Sequence, residues 1–264
     1  KQIHVVSVME IFYVAAVIVV FVFTVVFLLD RARLSRRREL AMKRFTAEER
    51  DELAEDFKLY GLLPEKLKDQ LDGLCHVFVE EKGFEACGGL EEVTLRMQRV
   101  IAAQACLLIL NRPHNMYKKL RTILLYPGAF GYDEGGVRLG ESWSSGTVIL
   151  SWDAVVSGGK NAEDGHDVSL HEFSHQLDQE NSQSEGVPYL QSAGAYREWS
   201  KAFAAGFERF SQRVDAGKKT VFDKYGATNP AEFFAVATET FFEKPKLGIF
   251  CFWCPHLIQE HTSH

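Results

Sequence analysis

Residues 164–180 read DGHDVSLHEFSHQLDQE, and five of them, His171-Glu-Phe-Ser-His175, decide how the rest of the chain is read. On a helix, positions i and i+4 share a face, so His171 and His175 point the same way. Two imidazoles at that spacing can both reach one zinc ion at about 2.0–2.1 Å. Glu172 projects beside the ion, where it can take a proton from an attacking water. The surroundings favour a helix. Asp167 is an N-cap residue type, and Val168, Leu170, Phe173 and Leu177 give an apolar side distinct from the histidines. The bland alternative is a chance match, and the helix start and preceding strand argue against it.

A catalytic zinc needs a third protein ligand and one open position. A metzincin would have Gly at 178 and His at 181, where this chain has Asp178 and Asn181. The ligand must come from farther along. The leading candidate is Glu232, within YGATNPAEFFA (225–235). Asn229 can cap that helix and Pro230 suits its first position, which puts Glu232 in the first turn. N-x-x-E is also the capping-box pattern, so spacing alone leaves ligand and cap equally open for Glu232. Asp178 and Glu239 are the competing carboxylates. Asp178 follows His171 by two turns and reads better as a group that orients a ligand histidine.

Upstream, residues 11–29 read IFYVAAVIVVFVFTVVFLL, without a charge and with Thr24 as the clearly polar side chain. Such a helix covers about 28 Å, close to the roughly 30 Å of bilayer hydrocarbon. Thr24 can bond back to its own helix. A core helix would be shorter, and a signal peptide would carry its basic residues before the apolar run. Arg31, Arg33, Arg36, Arg37 and Arg38 border the run, so the large domain is expected on the cytoplasmic side of the inner membrane. The same arginines can rest on anionic headgroups. The chain starts at Lys1 without a methionine, and a further piece upstream is expected.

The charges are uneven. Residues 1–44 hold eight basic and three acidic side chains, a net of +5, which leaves the other 220 residues at −11 of the total −6. A net-acidic body is a poor partner for nucleic acid. Hydrophobic residues are 46%, an ordinary globular share that excludes a disordered chain. The five cysteines (Cys75, Cys87, Cys106, Cys251, Cys254) are an odd set and need not pair in a reducing cytoplasm. Cys251 and Cys254 with His261 and His264 could nominally form a second zinc site, but the spacing is too short for a finger. His114 and His166 are lone loop histidines. Gly135-Gly136 and Gly158-Gly159 read as turns or mobile loops.

The body reads as one α+β domain. Thr46-Ala-Glu-Glu49 is a capping box that opens a helix through about Tyr60. Pro64 starts a second helix, and 91–110 forms a third. RTILLYP (121–127) and TVILSW (147–152) read as strands. Helical signals return at 167–178, 193–215 and 229–243.

The runs IAAQACLLIL (101–110), ILLYPGAF (123–130), VILSWDAV (148–155), DGHDVSLHEFSHQLDQE and NPAEFFAVATETFF (229–242) resemble the Mlc titration factor A family. That is a family of zinc-dependent peptidases with a metal site related to that of anthrax lethal factor. The similarity covers about residues 45–245. It implies a zincin-like (gluzincin) domain with one catalytic Zn²⁺ on His171, His175 and Glu232. It implies Glu172 as catalytic base and Tyr225 as a phenol that stabilises the oxyanion. The strand 147–152, edged by Trp143 and Trp152, is similar to the substrate-binding edge strand of such enzymes. The chain departs from the family in its N-terminal span and again after Pro245. The expectation is therefore a transmembrane anchor (1–30), a basic juxtamembrane segment (31–45) and a zinc peptidase domain (46–264). The activity implied is that of an aminopeptidase or short-peptide hydrolase. The alternative is a regulatory protein that sequesters a transcriptional repressor, with the metal site secondary.

Overall fold

A computed structural model of the protein describes residues 8–111, 117–132, 136–180, 186 and 192–244. The chain divides into two compact units, Lys1–Lys43 and Arg44–His264. The described part of the first holds one helix, α1 (Val8–Ala41). Among the described residues it is the one helix long and apolar enough to cross a membrane, and its apolar 18-residue stretch has a mean hydropathy of 3.0 and is not buried. Thr24 donates to the carbonyl of Val20 at 2.8 Å, so its hydroxyl is satisfied inside the helix.

The second unit is mixed α and β. It opens with α2 (Ala47–Asp56), α3 (Lys58–Leu62) and α4 (Glu65–Glu81), followed by β1 (Gly83–Ala86) and α5 (Leu95–Leu107). Next come β2 (Thr122–Tyr126), β3 (Phe130–Tyr132), β4 (Gly136–Arg138), β5 (Gly140–Trp143) and β6 (Thr147–Ser151). The chain then runs through α6 (Trp152–Lys160), α7 (Val168–Gln179), α8 (Ala193–Asp215), a 3₁₀ turn at Lys224–Ala227, and α9 (Pro230–Glu243).

The capping box forms as read. Glu49 donates its amide to the Thr46 hydroxyl at 3.2 Å, and its carboxylate accepts from the Thr46 amide at 2.9 Å. The helix stops at Asp56, short of Tyr60, because Phe57 takes an extended conformation and is fully buried. Asp72 ties this region to α4. Its buried carboxylate accepts from Arg50 at 2.6 Å, from the Tyr60 hydroxyl at 2.8 Å and from the Phe45 amide at 3.1 Å.

Four strands form one sheet in the order β1-β2-β6-β5. The first three are parallel, and β5 runs antiparallel along β6 at the edge. In register, Ile123 faces Val148 and Leu125 faces Leu150, and all four are fully buried. Alternate residues of a strand share a face, so these side chains make one apolar sheet surface. Phe173 of α7 packs into this core, edge-on to Phe78 at 5.9 Å and to Tyr117 at 5.7 Å between ring centroids. Removing such a ring would cost about 3–5 kcal/mol, which makes Phe173 the anchor of the histidine helix.

Three sequence expectations are corrected here. The strand 147–151 is interior to the sheet, and the edge is β5, carrying Trp143. Residues 140–143 (GESW) are too short and Gly-led to read as a strand alone. They are held by a hairpin whose Gly146 adopts a φ of 95°, with Lys119 O lying where a Cβ would be. Trp152 does not edge a strand but opens α6. Gly158 and Gly159 are neither turn nor loop. They lie buried in α6, where a Cβ would sit 2.9 Å from the Asp167 Cα and 2.4 Å from the Asp56 carbonyl. Small residues let α6 pack directly on those backbones. Cys75, Cys87 and Cys106 are free, while Cys251, Cys254, His261, His264 and His114 lie outside the described residues.

Candidate metal centre

Helix α7 begins where Asp167 caps it, accepting from the amides of Ser169 at 2.8 Å and Leu170 at 3.0 Å. Leu170, Phe173 and Leu177 are buried to zero exposure. The opposite side presents His171 and His175, with ring centroids 4.9 Å apart. Gln176 fastens the helix to the sheet edge, donating to the Ser142 hydroxyl at 2.7 Å and the Trp143 carbonyl at 3.0 Å.

Helix α9 brings the carboxylate. Asn229 caps it, accepting from the Glu232 amide at 3.0 Å. The Glu232 side chain does not complete the capping box. Its Oε2 lies 3.0 Å from His171 Nε2 and 3.4 Å from His175 Nε2. One ligand atom from each of His171, His175 and Glu232 lies within 4.8 Å of the others, a group that could hold a metal ion. Two imidazoles and one carboxylate are a donor set that zinc accepts, with an open fourth position.

The electrostatics agree with a cation there. Burial pushes the Glu232 carboxyl up, but the two imidazoles outweigh it and hold its pKa at about 2. Burial pulls His171 down, but Glu232 and Glu239 outweigh that and lift it to about 10. This pocket attracts positive charge, whether protons or a metal.

Glu239, two turns after Glu232, has a role that the sequence reading gave to Asp178. Its Oε2 lies 3.2 Å from His171 Nδ1, and its Oε1 accepts the Asp167 amide at 3.1 Å. One carboxylate thus orients the imidazole and holds the start of its helix. The i to i+7 spacing on α9 was the available signal, since it places Glu239 on the face of Glu232. Asp178 is buried in α7.

Glu172 sits beside the histidines with 8% of its surface exposed. Burial raises its pKa, opposed by the charges of His171 and His175. It presses against the edge strand. A Cβ on Gly140 would lie 2.7 Å from Glu172 Cγ and 2.8 Å from its Oε1, so only glycine leaves room. Tyr225, in the 3₁₀ turn before α9, is 55% exposed, with its ring centroid 6.2 Å from that of His171. Burial, and then the carboxylates of Glu232 and Glu172, raise its pKa, so the phenol stays protonated at neutral pH. His166 lies apart from this group, its Nε2 3.9 Å from Asp223.

A histidine pair one turn apart on a buried helix, faced by a carboxylate from a second helix, defines the HExxH-plus-distant-glutamate class of metal centre. The comparisons narrow the class. The chain belongs to the glucose-regulated metallo-peptidase M90 family, whose model matches residues 31–248. It is 40% identical over 205 residues to the Synechocystis sp. protein slr2042, covering 73% of this chain and 74% of that one. It is 29% identical over 207 residues to the Mlc titration factor A of Escherichia fergusonii, covering 72% and 75%. Over 193 residues it is 30% identical to that of Salmonella arizonae, covering 67% and 75%.

Proposed function

We propose that this chain is a zinc-dependent peptidase of the aminopeptidase or short-peptide hydrolase type. The observation that carries the reading is the convergence of His171, His175 and Glu232 on one point, with Glu172 beside them and the edge strand β5 alongside. The three side chains would hold the ion, which supplies Lewis acidity that makes water a nucleophile near neutral pH and polarises a carbonyl. Glu172 takes the proton of the attacking water and returns it to the leaving amine. Its raised pKa brings it closer to the working pH, as a residue that both accepts and donates requires. Tyr225 donates its hydroxyl to the oxyanion. A peptide laid antiparallel along the exposed side of β5 would bring its carbonyl past Glu172.

The test is Glu172→Gln, assayed on a panel of chromogenic amino-acid anilides with metal content measured alongside. The expected result is zinc retained and hydrolysis lost. A zinc-loaded parent that cleaves none of the panel would sink the reading.

A second reading rests on the names of the relatives, several of which are Mlc titration factors. In it the chain sequesters a transcriptional repressor, and Glu172→Gln leaves that activity intact. In both readings, residues 1–30 anchor the protein, 31–45 are a basic juxtamembrane segment, and 46–264 form the working domain. The span at residues 11–29, bordered by its arginines, would hold that domain at the cytoplasmic face. Protease added outside intact cells should then leave residues 45–264 whole, and their digestion would overturn the topology.

A further inference from the structure

Away from the histidines, α8, the turn after it and α9 border a half-open cavity of about 490 Å³. Its volume lies in the roughly 300–1,000 Å³ range of small-molecule sites. The wall is aromatic. Phe210 stacks on Phe233 with centroids 5.2 Å apart, Phe222 meets Phe233 edge-on at 5.5 Å, and Phe203 tilts against Phe233 at 5.2 Å.

Three cations also line it: Arg209, Arg213 and Lys219. Arg209 and Arg213 are one helical turn apart and so share a face of α8, where like charges repel. Arg213 donates to the Lys219 carbonyl at 2.9 Å, which fixes the turn that carries the third charge. Among the described residues none of the three pairs with a carboxylate. They form a positive rim on a body whose net charge is −11. An apolar cavity edged by unneutralised cations is complementary to one kind of molecule, an apolar body carrying an anion.

We propose that this cavity binds a free single-chain carboxylate. The chain lies against the phenylalanines, and the carboxylate lies at Arg209, Arg213 and Lys219. The site is independent of the peptidase reading, since it uses none of the metal or catalytic residues. Phe222 and Phe233 nevertheless stand close in sequence to Tyr225 and next to Glu232, so an occupant would touch the segments that carry both.

The experiment uses the full chain in phosphatidylcholine nanodiscs and a decanoate bearing a diazirine near its chain end. Cross-links are mapped by mass spectrometry. The expected labels fall on residues 199–222 and 233–237. Unlabelled decanoate should displace them, and decanol, which lacks the charge, should need at least about tenfold more. Ala237→Phe fills the cavity and should abolish labelling. The exposed double variant Arg209→Glu with Lys219→Glu, which keeps the Arg213 bond to the turn, should abolish it too, at an unchanged melting temperature. Equal competition by decanol, labelling insensitive to both variants, or displacement by phosphatidylglycerol discs but not by decanoate would overturn the proposal.

Discussion

His171 is held between two carboxylates of one helix, with Glu239 Oε2 at 3.2 Å from its Nδ1 and Glu232 Oε2 at 3.0 Å from its Nε2. The imidazole therefore has a fixed rotamer and a fixed tautomer when a metal takes the Nε2 side. Nδ1 must then carry the proton that it donates to Glu239.

Glu239→Gln removes that charge while keeping an oxygen for the Asp167 amide. The zinc dissociation constant should rise about 10–100-fold, the usual consequence of losing such a partner. Competition against a calibrated chelator measures it. Affinity within twofold of the parent would show that the contact does not serve the metal.

Glu232 and Asn229 separate ligand from cap. Asn229→Ala should cost about 0.5–2 kcal/mol of stability and leave zinc bound. Glu232→Ala should lose zinc and activity together. Full zinc occupancy in a folded Glu232→Ala protein would move the third ligand elsewhere, with Glu239 next in line.

Tyr225→Phe removes one hydroxyl. The phenol faces the site from an exposed turn, so fold and zinc content should survive. A donor aimed at the oxyanion typically contributes about 10²–10³ in kcat, or roughly 2.7–4 kcal/mol. KM should move little, because the bond is made mainly after attack begins. A kcat within a few-fold of the parent, in a zinc-loaded variant, would remove Tyr225 from the mechanism.

Gly140→Ala puts a methyl where Glu172 and Val168 already are. Glu172 must swing away, and a misplacement of about 1 Å can cost roughly 10² in rate. The expected signature is a lowered kcat with zinc content unchanged. Loss of zinc instead would mean that the strand shift reached the histidines.

Glu243 predicts a pH dependence of stability. Its Oε2 accepts the His166 amide at 2.8 Å, and its other oxygen is buried without a hydrogen bond. Burial, then the neighbouring Asp167 and Asp164, push its pKa from 4.5 to about 9. The folded state thus prefers the neutral carboxyl. That contribution is complete below pH 4.5 and drains away as pH climbs to about 9. Glu243→Gln is neutral throughout. Its melting temperature should gain on the parent steadily from pH 5 to pH 9, followed by calorimetry at saturating zinc. A constant difference would mean that Glu243 does not titrate in this range.

Much of this protein is set within single helices and is legible from spacing. The apolar run of α1, the Thr46–Glu49 capping box, the Asp167 and Asn229 caps and the shared face of His171 and His175 are all local. They depend on residues at most a few positions apart, whose geometry the helix fixes. Tertiary structure decided what required elements distant in sequence to meet. Glu232 was open between cap and ligand because both roles use the first turn. Packing of α9 on α7 sends the carboxylate across to His171, 61 residues away in the chain. The same packing brought Glu239 to the Nδ1 of His171. Sheet order turned β5, a four-residue segment with little strand character of its own, into the edge beside Glu172. Close approach of backbones made Gly158 and Gly159 helical, since two helices can touch there only if no side chain intervenes. Spacing specifies which residues can act together on one element, and burial of apolar faces between elements determines which of them do.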